Sequence, residues 1–265
     1  MAIKWTILGL AIYATMGLYL AAAVLFLARV RRVGYAVYGV GCAVAVAAWV
    51  YRWGETGHVP LQNLFEVFLT LGMLVLPVTL FCRRFLGVGG EAADTVIGII
   101  ILFAAGFVFN AEPKMLVPAL QSSLFVPHVA AYMLAYAIMA KAAVPAFWGL
   151  VGFGPPREDG LVGWESATYR MVSLGFPLLT LGLVLGAVWG KIAWGDYWNW
   201  DPKELASLAS WLVFLAYLHV RYMYGKRFPR LNCALVVSGL VAIVLTLLWV
   251  NLARIFGGGL HSYAA

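Results

Sequence analysis

The chain has 265 residues, 64% of them hydrophobic and 11% charged. A soluble domain carries about a quarter charged residues, so an ordinary soluble globular fold is excluded. The formal charge is +7, but the basic residues are scattered among short segments between apolar runs. That is a pattern of membrane topology, not a nucleic-acid footprint.

Eight apolar runs follow one another, each near the ~20 residues that cross a bilayer as a helix. They predict spans over Trp5–Ala28, Val33–Tyr51, Leu64–Cys82 and Ala93–Phe109 in the first half. In the second half they predict His128–Leu150, Arg170–Trp189, Leu205–Tyr224 and Leu231–Val250. The runs are apolar all round, whereas strands of a membrane barrel alternate apolar and polar residues. The expected fold is therefore all-α, a polytopic membrane helical bundle forming one integral membrane domain over residues 1–265.

Charge orients the spans. Segments after the first, third, fifth and seventh carry Arg29, Arg31, Arg32, Arg83, Arg84, Arg157, Arg170, Arg221, Lys226, Arg227 and Arg230. The opposite side holds Lys4, Arg52, Lys114, Lys191, Lys203 and Arg254. The positive-inside rule then places both termini on the extracytoplasmic side, together with the Trp-rich loop before the seventh span. The first span has no convincing small-residue cleavage site and reads as retained.

Cys42, Cys82 and Cys233 lie in or beside predicted spans and make no C-x-x-C pair, which disfavours a thiol–disulfide carrier. The four histidines are more informative. His58 sits in "ETGHVPLQNLFE", His128 opens the fifth span, and His261 lies in "GGGLHSY"; all three fall at or near the external face. His219 alone is within a span, toward its cytoplasmic end. Neutral imidazole is a common metal ligand and the usual axial ligand of haem iron.

Between the sixth and seventh spans runs "KIAWGDYWNWDPKELASLASW". Tryptophan and tyrosine gather at membrane interfaces as an aromatic belt, and "DPKE" reads as a helix start with Asp201 as N-cap, Pro202 first and Glu204 three on. Trp194, Tyr197, Trp198 and Asp201 lie at helical spacing, which predicts a short amphipathic surface helix. Belt and cap explain the residue types. They do not explain so many aromatics with Asp196 and Asp201 in one external loop whose neighbours in sequence are His128 and His261. A wide planar ligand with an apolar body would.

"WGDYWNWDPKE" resembles the tryptophan-rich WWD signature of the haem-handling proteins of cytochrome c maturation. Together with "GHVPLQNLFEVFL", "WLVFLAYLHVR" and "GLHSY", it makes the chain similar to the CcsA/ResC family, a component of the system II cytochrome c synthase. The resemblance implies a haem-handling region over about 128–265, with the motif at 194–204. It implies haem b held as substrate against Trp194, Tyr197, Trp198 and Trp200, with His128 and His261 as external axial ligands and His219 as an intramembrane ligand. Asp196, Asp201 and Lys203 belong to the same surface. His58 is a further candidate, which either faces the site or shapes its loop.

Charge alone makes Arg52, Lys191, Lys203 and Arg254 candidates for the haem propionates. Glu66 and Lys141 are ionisable groups within spans, where Glu66 can pair inside the bundle and Lys141 can snorkel. The resemblance further implies a CcsB/ResB-like membrane subunit, an apocytochrome c bearing C-x-x-C-H, and a thiol-reducing partner. The setting it implies is a bacterial inner or thylakoid-type membrane. By this reading the chain is part of a synthase and not a complete one. A haem exporter that hands its cargo to another carrier, or a non-catalytic membrane regulator, are the alternatives.

Overall fold

The computed structural model describes residues 3–152 and 160–252. Every regular element among them is helical, and eight helices are long and apolar enough to cross a membrane. They are α1 (Ile7–Leu27), α2 (Arg31–Thr56), α3 (Leu64–Leu86) and α4 (Glu91–Phe103), which runs into a π-helical turn at Ala104–Val108. After a short 3-10 turn at Pro118–Leu120 come α5 (Phe125–Val151), α6 (Trp164–Trp194), α7 (Pro202–Tyr224) and α8 (Pro229–Leu252).

The eight expected spans are all present, and several helices outrun them because backbone hydrogen bonding continues past the apolar stretch. The largest difference is α6. At 31 residues it is about 46 Å long, against a hydrocarbon core of about 30 Å. It therefore carries helical structure well past the bilayer core and includes Trp194.

The helices divide into two compact units. The first contains the chain up to Phe81 with Gly89–Leu116; the second contains Cys82–Val88 and the chain from Val117 onward. In the first unit α1 packs on α2 and α4. Its centre is Tyr19, fully buried, whose ring meets Tyr38 edge-on at 4.8 Å and whose hydroxyl donates to the Gly72 carbonyl at 3.1 Å. Gly41 and Gly98 make room for that ring: a Cβ on either would lie within 2.9 Å of it. Small residues set such contacts in lipid, where no hydrophobic drive brings helices together.

At one end of this unit the polar groups are tied into a clamp. Arg52 and Glu66, both without exposed side-chain surface, pair at 2.9 Å. Arg52 also donates to the carbonyls of Ala111 at 2.7 Å and Glu112 at 3.2 Å. Glu66 accepts from the Gln62 amide at 2.9 Å. The turn Ala104–Val108 frees backbone carbonyls, as helix irregularities do. Tyr13 donates to the Gly106 carbonyl, and the Lys4 ammonium to those of Ala105 and Phe109.

Arg52 was an expected propionate partner by charge. Its guanidinium is instead taken up by Glu66, Glu55 and two carbonyls, because a buried cation needs a matched set of acceptors. Glu66 pairs within the bundle. Lys141, on α5, is 4% exposed.

The second unit is built on the α5–α6 pair, with α7 on α8 and α8 on α5. Glycines of α6 receive large side chains of α5 in register: Gly175 faces Met139, Gly182 faces Tyr132, and Gly186 faces His128. Trp211 of α7 stacks on Phe176 at 5.4 Å and donates through Nε1 to Thr180 Oγ1 at 2.9 Å. At the end of this unit away from the Trp-rich loop, Glu165 holds both Arg221 at 2.6 Å and Lys226 at 3.3 Å.

Candidate functional site

α6 ends where Gly195 takes the left-handed conformation, φ 92°, that a C-terminal glycine adopts without steric penalty. From there to Asp201 the chain is irregular. The short amphipathic helix expected over Trp194–Asp201 does not form. Gly195 turns the backbone away, and Trp200 is itself left-handed at φ 57°, so the helical spacing of these aromatics is not realised as a helix.

α7 then starts as the sequence indicates. Asp201 caps it and accepts from the Lys203 amide at 2.9 Å, Pro202 occupies the first position, and Glu204 completes the capping box. Glu204 does more than close the box. Its Oε2 accepts from the amides of Asn199 at 2.8 Å and Asp201 at 3.2 Å. The backbone on both sides of Trp200 thus converges on one carboxylate oxygen, and the indole projects outward at 69% exposure.

The loop presents the rings of Tyr197 and Trp200 outward, with Trp198 half-buried. Tyr197 is 60% exposed, with the Lys191 ammonium 5.6 Å from its ring centroid. Lys191 also donates to the Gly195 carbonyl, bracing the turn. Trp198 and Trp200 meet at right angles with centroids 6.1 Å apart. Asp196 is exposed, whereas Asp201 is buried at its cap.

Between this loop and His128 stands a residue that sequence reasoning did not single out. Trp189, 2% exposed, stacks on the His128 imidazole at 5.7 Å with an interplanar angle of 22°. It meets Trp194 edge-on at 4.7 Å. Its Nε1 donates to the Ala119 carbonyl at 3.0 Å, which fixes the indole. The rings of His128, Trp189 and Trp194 therefore form a continuous series from the first turn of α5 to the end of α6. His128 is half-buried, and its Nδ1 lies 2.8 Å from the Gly182 carbonyl. The signal for these neighbours was the spacing Gly182, Gly186, Trp189, which puts all three on one face of a helix.

His58 belongs to the first unit, where Nδ1 faces the Val59 carbonyl at 3.0 Å and Nε2 the Lys114 carbonyl at 3.2 Å. Both nitrogens face acceptors, and these contacts brace the loop before α3. His219 lies in the second half of α7 and is exposed. That helix has the smallest buried share of any span, 17% of its apolar window against 67% for α3. His261 and Arg254 lie outside the described residues. No group of three or more His, Cys, Asp or Glu suited to a metal ion occurs among the described residues. The three cysteines are all buried and unbridged.

Eight membrane-length helices define a polytopic membrane protein, in which an aromatic loop is joined through neighbouring rings to a histidine. The chain belongs to the cytochrome c assembly protein family, whose profile matches residues 61–256. It is 34% identical over 238 residues to the cytochrome c biogenesis protein CcsA of Chlamydomonas reinhardtii, covering 85% of this chain and 66% of that one. With the CcsA of Guillardia theta it shares 33% over 270 residues, 89% of this chain and 87% of the relative. With that of Parasynechococcus marenigrum it shares 36% over 251 residues, 81% and 80%.

Proposed function

We propose that this chain is the haem-handling subunit of a system II cytochrome c synthase. Family membership supports the broader statement, a role in cytochrome c maturation. The finer one is carried by the ring series His128–Trp189–Trp194 running into the exposed loop of Tyr197, Trp198 and Trp200. Haem b is the cargo, a planar apolar macrocycle whose iron takes imidazole nitrogen and whose body suits indole surfaces. The donor chemistry fits: a histidine held by a second hydrogen bond, next to large aromatics that have few rotors to freeze.

In this reading His128 and His261 are the axial ligands on the extracytoplasmic side, and Lys191 and Lys203 stand near enough in sequence to the loop to meet propionates. His219 serves haem within the membrane together with a CcsB/ResB-like subunit. The work of the site is placement. Holding the vinyl groups beside the thiols of an apocytochrome c C-x-x-C-H segment, kept reduced by a thiol-reducing partner, turns thioether formation into a proximity-driven step. The membrane is a bacterial inner or thylakoid-type membrane.

The test is the visible spectrum of the detergent-purified chain, oxidised and dithionite-reduced, alone and co-expressed with the partner. A low-spin b-type spectrum that is lost or turns high-spin in His128→Gly is expected. An unchanged low-spin spectrum in that variant refutes the ligand assignment, and no haem in any preparation refutes the haem reading.

A further inference from the structure

We infer that the notch formed by Gly182 and Gly186 of α6 sets the tautomer of His128, holding its ring proton on Nδ1 so that Nε2 is the ligating atom. The inference rests on the haem reading only for what Nε2 ligates; the tautomer stands on geometry.

Nδ1 lies 2.8 Å from the Gly182 carbonyl oxygen. A carbonyl can only accept, so the hydrogen is on Nδ1, and in neutral imidazole the lone pair is then on Nε2. A mid-helix carbonyl already accepts one bond from the helix ladder. Its second lone pair can be reached by a side chain of the neighbouring helix only where no Cβ blocks the approach.

Here none does. A Cβ on Gly186 would sit 2.6 Å from Cε1 and 2.9 Å from Nδ1 of His128, on the ring edge that makes the bond. A Cβ on Gly182 would meet the Tyr132 ring at 3.0 Å, and Tyr132 packs edge-on against His128 at 5.2 Å. Trp189, one turn beyond Gly186, forms the wall against the ring face and is itself anchored to Ala119.

The imidazole is thus bounded by a notch, a wall and a hydrogen bond. A 180° ring flip would put Cδ2 where Nδ1 stands and break the bond to Gly182. A histidine that ligates a metal through one nitrogen and donates the other N–H to a backbone carbonyl has its orientation fixed and its basicity raised. Gly182 and Gly186 are therefore positioning residues for His128.

Two measurements test this. In the haem-free chain labelled with 15N-histidine, with His128 assigned by its absence in His128→Gln, two-bond 15N–1H correlations read the tautomer directly. Nδ1 protonated and Nε2 unprotonated is expected; an Nε2–H tautomer in the unsubstituted chain overturns the inference without recourse to any variant.

The second measurement compares haem occupancy and spin state in Gly186→Ala and Gly175→Ala. A Cβ on Gly175 would lie 3.0 Å from the flexible end of Met139, in the same helix pair but away from the histidine. Gly186→Ala should lose low-spin haem at least tenfold and recover part of it in millimolar imidazole, while Gly175→Ala keeps the parental spectrum. Haem bound normally by Gly186→Ala, with the tautomer unchanged, sinks the notch and leaves the haem reading intact. The expected tautomer in a chain that takes up no haem in any form keeps the notch and sinks the haem reading.

Discussion

Replacing Glu204 by alanine should collapse the conformation of Trp200 while leaving α7 in place. The two amides flanking Trp200 meet on Glu204 Oε2, at 2.8 and 3.2 Å. A hydrogen bond to a charged group is worth about 1.5–3 kcal/mol. Asn199 is exposed, so the lower end applies, and the pair contributes about 3 kcal/mol. Against this stands the left-handed backbone of Trp200, φ 57°, which costs roughly 1–2 kcal/mol for a residue with a side chain.

The carboxylate outweighs the strain, and without it the strain is unopposed. Trp200 then relaxes to negative φ, and the indole leaves its outward position. Hydrogen exchange followed by mass spectrometry over 195–204 is the assay. Each 1.4 kcal/mol is a factor of ten, so the amides of residues 199 and 201 should exchange at least tenfold faster in Glu204→Ala. Those in the body of α7 should be unchanged, since Asp201 still caps the helix through Lys203. Adding Trp200→Gly, which removes the strain, should soften the effect of Glu204→Ala. Equal protection of residues 199 and 201 with and without the carboxylate would refute the reasoning.

Two further outcomes concern the first unit. Arg52→Ala leaves Glu66 charged and buried, a situation that costs about 3–5 kcal/mol; thermal unfolding in detergent should show a large loss, and Arg52→Met with Glu66→Leu a smaller one. Gly98→Ala drives a methyl to 2.8 Å from the Tyr19 ring, overpacking that costs about 1–3 kcal/mol. Gly39→Ala has open space within 4 Å and should be neutral or mildly stabilising in the same assay.

The spans were legible because a bilayer imposes a length and an apolarity that any single segment displays by itself. The α7 start was legible for a similar reason: Asp201, Pro202 and Glu204 form a local code within four residues. Trp189 was not, because its importance comes from α5, more than sixty residues away, and in one dimension it reads as the last apolar residue of a span. Gly182 and Gly186 likewise look like ordinary packing glycines until Tyr132 and His128 are placed against them. Arg52 misled for the opposite reason. Charge next to a predicted interface suggests a solvated cation, and only the fold reveals Glu66 and the carbonyls of Ala111 and Glu112 around it. The helical spacing of Trp194, Tyr197 and Trp198 was real as a pattern, but Gly195 and the left-handed Trp200 override it.

The Arg52 clamp also has a bearing on the order in which the chain matures. Its ion pair spans only the turn between α2 and α3, and can form as soon as that hairpin has emerged. Beyond Glu66 and the nearby Glu55 at 3.5 Å, its acceptors are the carbonyls of Ala111 and Glu112, which arrive some sixty residues after Arg52, near the boundary of the first unit at Leu116. Until then part of the guanidinium must remain hydrated, which holds the α2–α3 end of the hairpin at the water interface. Seating of those carbonyls therefore needs the first four spans to be complete and requires nothing from α5 or its histidine.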